Sequence, residues 1–359
     1  MKKILFIFTL FLLSTLLNIN CVQKIKKKKV FNKQTYKKFF NACKKGDIKS
    51  LKIFVNKGIN INKKYYKWTL DGKLTCLMYA IKNGDLKMVK YLIAKSADLE
   101  IKNVEGYPQG MNAFMLACYY GRLKILKYLL KHGAKINSVS KYVITPIMVA
   151  SLNGHLHVIK YLINKGQSVN KSSYHDSNAL IYAAMKGKLK VVRFLIFKGA
   201  NINVINKWNK NALFYAVSGN HLNVVKYLIS KGSKVNLVET NEYKTPLFVA
   251  VEKHYANIAK YLLSKKANPN CWNNKNQTAL MIATRNGFFN TVKLLVRYGA
   301  NVNANDLVDV SAKQDKSGYS TALDYAIRNK DFRIANYLRS KGAKRWRYFY
   351  RRGYRKRKH

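Results

Sequence analysis

Asn211-Ala212-Leu213-Phe214-Tyr215-Ala216-Val217-Ser218-Gly219-Asn220-His221-Leu222-Asn223-Val224-Val225-Lys226-Tyr227-Leu228-Ile229-Ser230 reads as two short helices with a break between them. Asn211 can cap the first, Ala212 to Ser218. Gly219 and Asn220 interrupt it, and Leu222 to Ser230 resumes. In the second helix Leu222, Val225, Leu228 and Ile229 recur at three- and four-residue spacing, which places them on one face. A single helix pair cannot bury such a face, but stacked copies of it can.

The copies are present. Ala216 belongs to a series of nine marker alanines: Ala42, Ala80, Ala117, Ala150, Ala183, Ala216, Ala250, Ala283 and Ala326. Five of the eight intervals are 33 or 34 residues. Four residues after the marker stands glycine in six copies, replaced by Asn220, His254 and Lys330 in the others. Asparagine reaches the left-handed backbone region cheaply, whereas histidine and lysine do so less readily. Twelve residues after the marker stands leucine in every copy but the first, which has Phe54. Longer intervals place insertions before Ala80, before Ala117 and, longest, between Asn303 and Thr321. The last holds Asp306, Asp309 and Asp315, whose spacing does not suit a calcium loop and suggests internal partners for nearby lysines.

Each copy also opens and closes in a recognisable way. Openings are Thr145-Pro146-Ile147-Met148, Thr245-Pro246-Leu247-Phe248, Thr278-Ala279-Leu280-Met281 and Thr321-Ala322-Leu323-Asp324, with weaker forms at Thr75, Asn178 and Asn211. Closings include Lys198-Gly199-Ala200-Asn201-Ile202-Asn203 and Tyr298-Gly299-Ala300-Asn301-Val302-Asn303. Together with the 33-residue period, these resemble the ankyrin repeat. The resemblance covers residues 35–343 and implies an all-α ankyrin-repeat solenoid of nine repeats, stacked helix-turn-helix units with projecting β-turn fingers. It also implies a scaffold that binds another protein, with no cofactor, no catalytic residues, no small-molecule substrate and a monomeric state. The family histidine after Thr-Pro-Leu is missing throughout, which puts the rigidity of that turn in question.

The chain begins differently. Lys2 and Lys3 precede an apolar and hydroxyl run from Ile4 to Leu17, which as a helix spans roughly 21 Å, short of a ~30 Å hydrocarbon core. Residues 1–20 therefore read as a secretory signal peptide. Cys21 follows directly, and Leu17-Asn18-Ile19-Asn20-Cys21 resembles a bacterial lipoprotein signal in its relaxed, spirochaete-like form. Two outcomes stand open: lipidation of Cys21, giving a membrane-anchored envelope protein, or an ordinary signal and a periplasmic or secreted chain. Residues 21–34 form a basic linker whose Lys24-Ile25-Lys26-Lys27-Lys28-Lys29 would reinforce an anchor on an anionic membrane.

Charge is the compositional anomaly: 68 Lys and Arg stand against 15 Asp and Glu, a formal +53. Such a surface favours an acidic protein, an anionic membrane or another polyanion. Coding bias toward lysine in an AT-rich genome is the competing explanation, though it leaves the shortage of glutamate unexplained. Ten residues after the marker stand Lys52, Lys90, Lys127, Lys160, Arg193, Lys226, Lys260 and Lys293. A second basic column, fifteen after the marker, contains Lys57, Lys95, Lys165, Lys198, Lys231, Lys265 and Lys341. The position before it, often glutamate in the family, is never acidic here, so a continuous positive stripe is expected. Between repeats, Tyr142, Tyr174, Trp208 and Tyr243 are candidate partner-contacting tips; the alternative is that some fold back onto neighbouring tips. Residues 344–359 form a basic aromatic tail, with Arg345, Trp346, Arg347, Arg351, Arg352 and Arg355, suited to phosphates, bases or a lipid interface.

Cys43, Cys76, Cys118 and Cys271 are expected as buried free thiols, since the equivalent pair Cys43 and Cys118 lies two repeats apart. His155 and His157 are a weak metal signal, so no metal is expected. No phosphate-cradling loop or nucleophile elbow is found.

Overall fold

A computed structural model describes residues 31–64, 74–104, 109–306 and 320–345. Among these residues there are eighteen helices and no strand, an all-helical repeat solenoid. Each repeat supplies an inner helix of seven to thirteen residues and an outer helix of nine.

The described residues fall into two compact units. The first holds two repeats: α1 (Lys33–Lys45) with α2 (Ile48–Asn56), and α3 (Cys76–Asn83) with α4 (Leu86–Ala94). The second holds seven. They are α5 (Ala113–Tyr119) with α6 (Leu123–Lys131), α7 (Pro146–Asn153) with α8 (Leu156–Asn164), α9 (Ala179–Met185) with α10 (Leu189–Phe197), and α11 (Ala212–Ser218) with α12 (Leu222–Ser230). There follow α13 (Pro246–Glu252) with α14 (Ala256–Ser264), α15 (Ala279–Arg285) with α16 (Phe289–Arg297), and α17 (Ala322–Arg328) with α18 (Phe332–Ser340). The bounds of α11 and α12 are those expected from the sequence. On α12 the buried residues are Val224, Val225 and Leu228, so the core-facing edge is rotated slightly from the expected Leu222–Ile229 side.

The marker alanines explain the stacking. From Ala80 onward all eight are fully buried, and within each unit consecutive inner helices pack against one another. A small side chain there permits close approach of the helix backbones. The residue four after the marker takes a left-handed conformation to turn the chain into the outer helix. Asn220, His254 and Lys330 do so at φ 59°, 58° and 58°, although they are not glycine.

Inner-helix starts carry Asn or Thr at the N-cap position. Asn112, Asn178 and Asn211 each accept a hydrogen bond from the backbone N–H three residues on. The missing histidine is replaced as an acceptor at four of the five described Thr turns, Thr245 with Phe248 in that place being the exception. Met78, Met148 and Met281 stand in its place, and their sulfurs accept the N–H of Thr75, Thr145 and Thr278 at 3.4 Å. In the last repeat Asp324 performs this function for Thr321.

Two further periodic bonds tie neighbouring repeats of the second unit. Asn170, Asn203, Asn236, Asn270 and Asn303 each donate to a carbonyl in the next repeat and accept a backbone N–H from it. The finger tips are laced by main-chain bonds, each tip donating an N–H to the one before it.

One cysteine expectation is overturned in the first unit. Cys43 near the end of α1 and Cys76 at the start of α3 form a disulfide with Cα atoms 5.2 Å apart, and both residues are fully buried. Comparison of equivalent positions missed the pair because the bond joins unlike positions, one after a marker alanine and the other four before the next. Cys118 and Cys271 are free and buried. Burial pushes both thiols up, Cys118 strongly, and Cys271 also receives the Thr245 hydroxyl at 3.0 Å.

Candidate functional site

The finger tips of the second unit form one candidate surface. The bonds that lace them run from Lys141 to Gln109, Tyr174 to Tyr142, Lys207 to His175, Thr240 to Trp208 and Asn274 to Glu242. At each tip a residue seven before the marker is left-handed: Gly110, Val143, Asp176, Asn209, Tyr243 and Asn276. Inside each finger a short polar side chain satisfies the turning backbone. Asn206 accepts from Trp208 and Lys210, and Asn273 from Lys275 and Gln277. Glu239 does this with a carboxylate, accepting the N–H groups of Asn241, Glu242 and Lys244 while Lys210 lies 3.4 Å away. Burial alone would raise the Glu239 carboxyl, but these N–H groups and Lys210 outweigh it and hold it below the usual value.

The four tip aromatics divide. Tyr174 and Tyr243 are 58% and 54% exposed. Tyr142 and Trp208 are half-buried because both pack on His175, at 5.9 Å and 4.9 Å between ring centroids. Tyr174 also meets His175 edge-on at 5.1 Å and carries Lys207 over its ring at 4.0 Å. His175 therefore organises three successive tips, a role that sequence inspection did not assign. Trp272, 59% exposed, was also overlooked. Its single-residue bridge to Thr278 marks the finger base.

The outer helices of each unit carry the second set of candidate residues. Lys52, Lys90, Lys127, Lys160, Arg193, Lys226, Lys260 and Lys293 are all exposed. What inspection missed is the aromatic that follows six of these eight bases. Tyr91, Tyr128, Tyr161, Phe194, Tyr227 and Tyr261 stand eleven after the marker, visible in the sequence as recurrent base–aromatic pairs, and Tyr337 stands there beside Asn336. In the first unit Lys52 lies over Tyr91 at 5.7 Å. In the second, Lys127 lies over Tyr161, Lys160 over Phe194, Arg193 over Tyr227 and Lys226 over Tyr261, at 4.9 to 5.8 Å. The second basic column supplies the other neighbour of some rings, with Lys231 at Tyr227 and Lys265 at Tyr261.

The described carboxylates are mostly committed to the fold. Asp47, Asp85 and Asp331 cap outer helices, and Glu239 and Asp306 lie within fingers. Glu242 and Glu252 both pair with Lys244, whose ammonium burial would lower but whose two partners raise on balance. Asp306 accepts from the Tyr325 hydroxyl at 2.7 Å and from the Ser320 N–H, so its partners are loop and ring, not the lysine expected. Asp309 and Asp315 lie outside the described residues, as do Cys21, the signal segment and Trp346, Arg347, Arg351, Arg352 and Arg355 of the tail. Arg345 is described, and its Nε donates to Asp324 at 3.1 Å.

His155 and His157 each donate a ring N–H to a carbonyl, of Tyr119 and Gly121 respectively. Among the described residues no group of three or more potential ligands is placed to hold a metal ion, and no helix is long and apolar enough to cross a membrane.

A family model described as ankyrin repeats, three copies long, matches residues 14–103, 39–140, 138–206, 180–273, 213–306 and 266–347. The chain belongs to the ankyrin-repeat family. No curated protein matches it. Ankyrin repeats generally mediate binding between proteins, and ankyrin-repeat proteins are typically non-enzymatic scaffolds.

Proposed function

We propose that this ankyrin-repeat chain is an exported scaffold that binds an acidic partner protein through its finger tips and the inner-helix face beside them. The row of tips carries this reading. Main-chain bonds hold successive fingers in register and present Tyr174 and Tyr243 to solvent. Such preorganisation lowers the ordering cost of association, and exposed tyrosines suit binding hot spots. The acidic character of the partner follows from charge: most of the described carboxylates serve caps, fingers and local ion pairs, while lysines remain in large excess.

Export has support in the first unit. A buried disulfide between Cys43 and Cys76 fits an oxidising compartment and is unusual in a reducing cytosol. It agrees with reading residues 1–20 as a signal peptide, with Cys21 as a lipid anchor at the cell envelope or as the start of a periplasmic or secreted chain. A second reading, a polyanion or anionic-membrane binder acting through the outer-helix bases and the tail, is favoured by the base–ring ladder.

The test is photo-crosslinking in the native host from positions 174 and 243. Adducts with one acidic protein at both positions are expected. Absence of any protein adduct at either tip, with adducts formed instead from outer-helix positions, would sink the reading.

A further inference from the structure

The outer helices α2, α4, α6, α8, α10, α12, α14, α16 and α18 contain no aspartate or glutamate. Carboxylates stand only ahead of three of them, where Asp47, Asp85 and Asp331 are engaged as caps. In the second unit Lys127, Lys160, Arg193 and Lys226 are also partly ordered by the rings beneath them. A cation that already rests on a ring has less rotamer freedom to lose when a ligand arrives.

The row changes between its last two repeats. Leu294 stands where Tyr261 and its equivalents stand, and Asn336 replaces the base of the last repeat. An open cleft of about 660 Å³ lies there between α16 and α18. Lys293, Arg297 and Lys341 line it, with Asn290 and Tyr337 as neutral polar groups and Leu294 and Val296 as apolar lining. No carboxylate is among the lining residues. This set can pair an oxyanion, hydrogen-bond a hydroxyl and cover the apolar face of a small ring in one place.

We propose that the outer face of the second unit binds a linear acidic polysaccharide, sulfated or rich in uronate, lying along the bases and gripped in the cleft between α16 and α18. This rests on the polyanion reading above and names its ligand. The rings argue against single-stranded nucleic acid, which needs free aromatic platforms for its bases. Tyr161, Phe194, Tyr227 and Tyr261 are half-buried, and a cation lies over each. An anionic bilayer is disfavoured because Phe197 and Phe332 are the only large exposed apolar residues on the described outer helices of this unit. An interfacial helix face carries a continuous apolar side.

The test is calorimetric titration of the full chain with a size-defined heparin oligosaccharide at several salt concentrations. The cleft triple variant Lys293→Gln/Arg297→Gln/Lys341→Gln is compared with a control of equal charge loss, Lys171→Gln/Lys234→Gln/Lys275→Gln. All six side chains are exposed, and thermal melts verify that both variants fold. The cleft variant should bind roughly tenfold or more weakly and the control less than about threefold, since a specific contact exceeds a diffuse one. Equal losses would overturn the cleft site. Tighter binding to oligo-dT or to phosphatidylglycerol vesicles than to the oligosaccharide at the same salt would overturn the ligand assignment and leave the polyanion reading standing. Failure to bind all three at low salt would remove both.

Discussion

Arg193 of α10 lays its guanidinium over the ring of Tyr227 on α12, one repeat further along, with 4.9 Å between its central carbon and the ring centroid. Lys231 approaches the same ring at 5.9 Å. One tyrosine thus holds bases from two repeats and links their outer helices. Tyr227→Leu keeps apolar bulk but removes the ring, and should cost about 0.5–1 kcal/mol, read as a lower urea midpoint. An unchanged midpoint would show that the ring adds nothing beyond packing.

The Cys43–Cys76 bond closes a sequence separation of 33 residues. Chain-entropy reasoning gives such a link about 3–4 kcal/mol through its constraint on the unfolded chain. Cys43→Ser should destabilise the first unit by that order, and reductant should shift the wild type toward the variant while leaving the variant unmoved. Identical denaturation of wild type and variant under oxidising conditions would contradict the bond.

Glu239 gives the finger preceding α13 a pH dependence with a definite sign. Its carboxyl is held below the ordinary value, 4.5, in the folded chain. The stabilisation is therefore complete above the unfolded value and is lost as pH falls through the lower folded value. Glu239→Ala leaves three backbone N–H groups without their acceptor, and should cost about 2 kcal/mol at neutral pH. The gap between variant and wild type should narrow as urea titrations move below about pH 4.5. A gap independent of pH would mean that the carboxylate charge plays no part.

Two glycines separate backbone strain from crowding. Gly187 has φ +65°, and a Cβ there would fall 2.5 Å from the His221 ring. His221 is itself tied by a ring nitrogen to the Met185 carbonyl at 3.2 Å. Gly199 has φ +81° with nothing within 4 Å of the same atom. Gly199→Ala should cost about 1 kcal/mol for the left-handed backbone alone, and Gly187→Ala about 1–3 kcal/mol more from overpacking. Equal costs in thermal or urea unfolding would show that His221 moves aside freely.

The repeat was legible because its determinants are local and periodic. Ala216, Leu228 and the break at Gly219 and Asn220 define α11 and α12 within twenty residues of chain. The disulfide was not legible, because it depends on the register of α1 against α3 and joins positions that are not equivalent in the repeat. The tips were only half legible. Nothing local distinguishes exposed Tyr174 from half-buried Trp208; His175, on the finger of Tyr174, covers Trp208 of the next finger and decides it. The basic column was visible, but its ordering by rings such as Tyr227 required knowing that Lys127, Lys160, Arg193 and Lys226 each reach the next repeat. Loss of the family histidine suggested a loose turn, whereas the sulfurs of Met78, Met148 and Met281 occupy the same hydrogen-bonding position.

The proposal that this scaffold works outside the reducing cytosol is tested most directly by intact mass of the chain isolated from its own host without reductant. The expected species lacks residues 1–20, weighs two hydrogens less than its thiol form because of Cys43–Cys76, and carries either a lipid on Cys21 or a free new N-terminus nearby. Detergent partitioning that is lost in Cys21→Ser would identify the lipid form. A full-length species that retains Met1 and leaves Cys43 and Cys76 open to alkylation would contradict the claim and return the protein to the cytoplasm.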